Sequence, residues 1–340
     1  MIVKENELLA RHTTFHLGGP ARFFIECVSI EDVVEAVSFA QVRSCSFNPL
    51  GGGSNVLVPD EGVDGVVAHL SIPGISFEET STDIRIRVGA GVLWSAVVRE
   101  VCERGLWGIE NLAHIPGTLG GAVVQNIGAY GTELADVFHE AVVLNTATLT
   151  RERVSLESAL FGYRTSVFKT SPSYVVVEAT LRLRKNGAPL YRYPDLRAFG
   201  EHNPAATPTE VAAEVTRIRS QKFPSLKNEG TAGSFFKNPV LDAAEAAALA
   251  QQFPGLPHHQ HAEGTIKISL AWILDHVLGL RGYEKDGVRL FENQPLVFVA
   301  ARGSSAAAVD ALADEVSKKV FDATRIVIER EVETFENKIL

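Results

Sequence analysis

The residues able to do chemistry in this chain lie in short clusters whose types and spacing each suggest a different use. Gly51-Gly52-Gly53-Ser54-Asn55 offers successive backbone N–H groups that glycine's freedom can aim at an anion, or else a tight turn. No G-x-x-x-x-G-K-[ST] pattern accompanies it, which disfavours nucleotide hydrolysis of the P-loop kind. Ser234, within Thr231-Ala232-Gly233-Ser234-Phe235-Phe236-Lys237-Asn238-Pro239, lacks the Gly-x-Ser-x-Gly setting of a hydrolase nucleophile and by itself reads as a turn residue. Arg164 and Glu331 each place a charge among apolar neighbours. Surface ion pairs are the default for both, but if they meet in a cleft they form a preorganised pair able to handle charge developing on a carboxylate or enolate. His258, His259 and His261 lack helical ligand spacing and follow Pro254 and Pro257, so they read as a solvated loop rather than a metal site. Gly89-Ala90-Gly91-Val92-Leu93-Trp94 has the outline of a dinucleotide fingerprint, but Trp94 stands at the third glycine position, so a strand-to-helix turn is the better reading.

Positioning such groups requires cores, and the composition supplies them. The chain has 340 residues, 46% of them hydrophobic, enough for about two domains. A net charge of −9 argues against nucleic acid and anionic membranes as partners. Cys27, Cys45 and Cys102 are far apart and odd in number, which suggests neither a disulfide framework nor a thiolate metal site and fits a reducing cytoplasm. No signal-peptide pattern and no apolar run of membrane-spanning length is visible, so the chain reads as soluble.

Apolar periodicity predicts a βαβ-like opening: a strand over 22–26, a helix over 31–41 and an extended stretch over 47–50 running into the glycines. A second unit starts near Ile72, with a strand through Ile84, Ile86 and Val88 and a helix over 92–106. The glycine-rich, nearly uncharged span 109–131 is either a buried irregular loop or the cover of a large ligand. Tyr174–Leu183 reads as a strand with Val175, Val177, Ala179, Leu181 and Leu183 on one face and a wet opposite face. The span 191–209 reads as a loop or boundary, and Thr207-Pro208-Thr209-Glu210 as a capping box opening a helix through Val211, Val215 and Ile218. Further helices are expected over 242–253, 269–278 and 304–323, with strands over 296–301 and 324–333.

Taken together, HTTFHLGGPAR at 12–22, LGGGSNVLV at 50–58, VGAGVLW at 88–94, GIENLAHIPGTLGGAVVQNIGAYG at 108–131, FGYRTSVFK at 161–169 and GTAGSFFKNP at 230–239 resemble, in order, the UDP-N-acetylenolpyruvoylglucosamine reductase family. YRYPDLR at 191–197 resembles the tyrosine-bearing loop of that family's larger subtype. The resemblance implies an α+β chain: an FAD-binding fold of the vanillyl-alcohol oxidase (PCMH) type in two subdomains, 1–71 (with 334–340 as a possible return) and 72–222, then a smaller α+β substrate domain over 223–333.

It also implies FAD, with the pyrophosphate against Gly51, Gly52, Gly53, Ser54 and Asn55. The ring would pack near Ile115, Pro116, Gly117 and Gly121 and near Asn126, Gly128 and Ala129. NADPH would reduce the flavin and leave; UDP-N-acetylglucosamine enolpyruvate would then take hydride from flavin N5 at C3 and become UDP-N-acetylmuramate for peptidoglycan synthesis. By similarity, Arg164 and Glu331 hold the substrate carboxylate and Ser234 protonates C2. Tyr130, Tyr193, Lys222, Asn238 and Gln294 match positions that contact the nucleotide sugar. Arg219, one turn before Lys222, would add a second cation for the diphosphate, against the simpler reading of a solvated helix end. The resemblance implies no metal, and a monomer is expected. Glu333 departs from the family, which carries arginine there, and puts in doubt any substrate contact made by that arginine. Competing readings are another flavoprotein oxidase or dehydrogenase on this fold, and an inactive nucleotide-sugar sensor.

Overall fold

Ser29 and Asp32 satisfy each other's backbone N–H groups in a capping box, and the helix they open, Ile30–Arg43, buries Val33, Ala36, Val37 and Ala40 on one side. In the computed structural model, which describes residues 1–81, 83–227, 229–261 and 264–335, that side packs on a sheet ordered Val3–Leu8, Pro20–Cys27, Val63–Leu70, Ser46–Leu50. The first pair is antiparallel and the other two parallel, so the predicted βαβ opening is present. Cys27, Cys45 and Cys102 are free and buried.

A second, wholly antiparallel sheet runs Thr150–Ser155, Phe138–Asn145, Tyr174–Leu183, Ile84–Gly89, Ile75–Glu79. The single-face expectation for Tyr174–Leu183 fails. Its register against Phe138–Asn145 slips between Val176 and Glu178, a bulge that turns the strand over. Val175 and Val177 therefore join the first core, beside Val33 and Phe47, while Val176, Ala179, Leu181 and Leu183 join the second, beside Trp94 and Leu119. Neither face is wet at those positions.

Two stretches expected to be irregular contain helices. Leu119–Gln125 forms despite two glycines because Leu119, Ala122 and Val123 are buried in the second core, and burial outweighs propensity. Pro194–His202 starts with proline at its first position and buries Leu196 and Gly200. The helix Pro208–Lys222 follows, opened by the predicted Thr207–Glu210 capping box.

The last part of the chain joins Glu284–Lys285, Val288–Phe291 and Gln294–Ala300 antiparallel. Bridges Gly230–Ala300, Ser234–Val297 and Phe236–Arg330 lay the 230–236 and 330 segments beside that sheet. The helix Ala306–Thr324 covers it, and Asp60 from the first part accepts hydrogen bonds from Ala306 and Ala307 N–H at 2.8 and 3.0 Å, capping that helix across the molecule. The strand expected over 324–333 is not continuous: Thr324 ends the helix with its hydroxyl on Val320 O, and regular pairing resumes only at Glu333–Thr334, parallel to Val56–Leu57. The helix expected over 269–278 is a short turn, Leu270–Trp272, widening into a π-helix over Ile273–Val277. His258–Gln260, expected in a loop, is an exposed strand because its backbone pairs with Ile266–Ile268; Ala262 and Glu263 of the same motif lie outside the described residues. No described helix is long and apolar enough to cross a membrane.

Candidate active site

The glycine run lies where the first sheet ends, pressed against the 116–118 segment so closely that side chains are excluded. A Cβ on Gly51 would stand 2.6 Å from Thr118 Oγ1, one on Gly52 2.8 Å from Gly117 Cα, and one on Gly53, at φ +61°, 2.0 Å from His12 O. Ser54 Oγ donates to Pro116 O at 3.1 Å. Thr118 Oγ1 is buried with no hydrogen-bond partner, whereas a Cβ on Gly121 would meet open space. Two backbone segments, an unsatisfied hydroxyl and bare glycine beside an opening fit a diphosphate and a flat ring better than a plain turn does.

Several predicted cofactor residues are committed within the protein. Asn126, at φ +44°, donates through its amide to Glu133 Oε2 and Gly162 O and accepts from Ala135 N–H, leaving only its backbone for a ligand. Asn55 donates to Glu331 O at 3.1 Å and its carbonyl accepts from Glu333 N–H, so it clamps the segment that carries Glu331. Gly128 accepts Arg164 Nη2 at 2.7 Å, and a Cβ there would stand 2.8 Å from Arg164 Nη1. Ile115 and Ala129 are partly buried against the second core.

Arg164 and Glu331 meet. Arg164 Nε lies 2.8 Å from Glu331 Oε1, with side-chain exposures of 19% and 15%, which sets the pair apart from an exposed surface bridge. Arg164 holds φ +56° between two hydrogen bonds linking Gly162 and Thr165. Ser234 reaches the same region through its own segment, since Phe235 N–H donates to Leu296 O while Phe235 O accepts from Glu331 N–H at 2.8 Å. Among the described residues, none donates to or accepts from Ser234 Oγ. Thr14 ties these motifs together: its N–H donates to Gly53 O and its hydroxyl to Thr231 O.

Tyr130, Tyr193, Arg219 and Lys222 form one wall. The tyrosine rings stand edge to face with centroids 5.2 Å apart, and burial pushes the Tyr130 phenol up to about 12. Arg219 Nε donates to His114 O, and desolvation brings its guanidinium down to about 10, still charged at neutral pH. Lys222 is paired with Asp195, so it is not a free solvated cation. Asn238 Oδ1 accepts from Leu270 N–H, while Gln294 Oε1 is buried without a partner among the described residues. Sequence reasoning passed over Asp195, Gln125, Lys169 and Lys267. Lys267 carries its ammonium 3.7 Å above the Tyr163 ring, and burial together with Arg164 lowers its pKa.

Residues 21–151 match a family model described as an FAD binding domain, and 224–335 match the C-terminal domain of UDP-N-acetylenolpyruvoylglucosamine reductase. The chain is 35% identical over 98% of its length to the reductase of that name from Amoebophilus asiaticus, covering 99% of it, and 35% identical over 98% to the one from Aliivibrio fischeri, covering 94%. The crystal structure of the Thermus caldophilus reductase superposes with a TM-score of 0.70 at 25% identity, covering 98% of this chain and all of that one. Arg164, Tyr193, Arg219 and Lys222 fall between the two family models.

Proposed function

This chain belongs to the UDP-N-acetylenolpyruvoylglucosamine reductase family of FAD-dependent oxidoreductases, and from that premise we propose that it reduces UDP-N-acetylglucosamine enolpyruvate to UDP-N-acetylmuramate with NADPH as hydride source. The observation that carries the reading is the enclosed Arg164–Glu331 pair, with Glu331 bonded through its backbone to the segment that carries Ser234.

Bound FAD would supply the hydride chemistry, collecting hydride from NADPH and delivering it to the substrate's C3. Gly51 to Ser54 and the 115–121 segment would hold it with backbone donors, and Thr118 Oγ1 would gain a partner. As charge builds at C2 and spreads into the substrate carboxylate, Arg164 opposes it with a guanidinium already fixed by Glu331 and Gly128 O, so little reorganisation is needed. Glu331 Oε1 is ion-paired with Arg164 Nε and accepts a hydrogen bond from Gln125 Nε2, which fixes the carboxylate beside the guanidinium. Ser234 Oγ, free of protein partners among the described residues, gives its proton to C2. Tyr130, Tyr193, Arg219, Lys222, Asn238 and Gln294 would receive the nucleotide sugar, with Tyr193 on the loop of the larger subtype.

The division into 1–71, 72–222 and 223–333 is proposed on the segregation of the sheets. The pairing of Glu333–Thr334 with Val56–Leu57 supports a return of the C-terminal strand to the first part, while 336–340 lie outside the described residues. The enzyme would work as a cytoplasmic monomer.

Steady-state assay of the FAD-loaded protein tests the reading. NADPH oxidation should require the enolpyruvyl substrate and yield UDP-N-acetylmuramate by mass; oxidation that proceeds equally without substrate would refute it.

A further inference from the structure

Glu331 is held from a second side by a chain of side chains that the reaction as described does not use. Gln125, 8% exposed, donates from Nε2 to Glu331 Oε1 at 3.2 Å. The other end of the same amide, Oε1, accepts from Lys169 Nζ at 2.9 Å. Lys169 also donates to Arg164 O at 3.4 Å and is paired at 2.6 Å with Glu333.

An amide is nearly symmetric in shape, and its two orientations differ only in which end donates. Lysine removes that freedom, because an ammonium has donors alone and obliges the amide to turn its oxygen toward it. The NH₂ group must then face Glu331. If the amide flipped, its oxygen would oppose a carboxylate oxygen already bound to Arg164, and the pair would shift to relieve the repulsion.

We propose that Gln125 and Lys169 are positioning residues for Glu331 and Arg164, and that Glu333 is the counterion anchoring Lys169. Glu333, paired with Lys169 at 2.6 Å, holds that ammonium where it meets the Gln125 oxygen. The proposal rests on the reductase reading above. Neither residue needs to touch the substrate; each acts through the geometry of groups that do.

The test uses FAD-loaded enzyme reduced with dithionite, then mixed anaerobically with saturating UDP-N-acetylglucosamine enolpyruvate while flavin absorbance is followed. Lys169→Met should slow reoxidation about tenfold or more, as sub-ångström misplacement of catalytic groups does, with substrate KM and FAD content close to wild type. Lys169→Arg, which keeps a donor-only cation, should recover most of the rate. Gln125→Met should match Lys169→Met, and the double variant should be no slower than the worse single, since the two act as one unit. Wild-type rates in Lys169→Met, additive losses in the double variant, or a loss that follows FAD release or a lowered Tm would overturn the proposal. Wild-type enzyme that the substrate fails to reoxidise would instead overturn the reductase reading, and the proposal with it.

Discussion

At the scale of single residues, the site is built from side chains in uncommon backbone states. Asn126, Tyr130 and Arg164 hold φ of +44°, +50° and +56°, and such conformations persist only where surrounding bonds over-determine them. Arg164 is held by its ion pair with Glu331 and its hydrogen bond to Gly128 O, and Asn126 by its three side-chain hydrogen bonds. Ser234 differs, because none of the described residues bonds its hydroxyl, as suits a group that must part with a proton. Ser234→Ala should therefore retain FAD and normal flavin reduction by NADPH while substrate-driven reoxidation falls roughly a hundredfold or more, the usual yield of a positioned general acid. Stopped-flow absorbance checks it, and an unimpaired second phase would remove Ser234 from the proton path. Arg164, Ser234 and Glu331 were legible in the sequence as candidates, each within a motif with family-like neighbours, and the structure brings Arg164 onto Glu331 beside the Ser234 segment. Gln125 and Lys169 were not, since an amide and an amine acquire meaning only from what they face.

At the scale of elements, periodicity identified those with one buried face and failed where tertiary contacts override it. The helices Ile30–Arg43 and Pro208–Lys222 were legible from spacing and caps. The bulge in Tyr174–Leu183 was not, because a residue inserted between two buried faces leaves an all-apolar run looking like simple alternation. Leu119–Gln125 was hidden by its glycines, and 324–333 read as a strand through apolar residues that pack without regular pairing. Pro194–His202 bears on the proposed site, because it brings Asp195 onto Lys222 beside Tyr193. An anionic ligand arriving at Lys222 must displace that carboxylate. Asp195→Asn should accordingly tighten binding of UDP roughly two- to fivefold, the scale of a partly exposed ion pair of up to ~1 kcal/mol, as measured by flavin-fluorescence titration. Weaker binding in the variant would mean that Asp195 assists the ligand rather than competing with it.

At the scale of the whole molecule, no one part holds the site. The glycine run comes from the first sheet, Arg164 from the loop before Tyr174–Leu183, and Ser234 and Glu331 from segments laid beside the last sheet. Thr14, Asn55 and Asp60 carry hydrogen bonds between the first and last parts, so the clamp on Glu331 depends on both being folded. The order of motifs along the sequence was enough to indicate the family, but not that Asn55 would hold the Glu331 segment or that Glu333 would pair with Lys169. The central claim is that one cleft passes hydride from NADPH to an enolpyruvyl ether, and its most direct test is an anaerobic visible spectrum of the FAD-loaded protein. NADPH should bleach the flavin, and UDP-N-acetylglucosamine enolpyruvate alone should restore it. A flavin that bleaches but recovers only when oxygen is admitted would contradict the account and point to an oxidase.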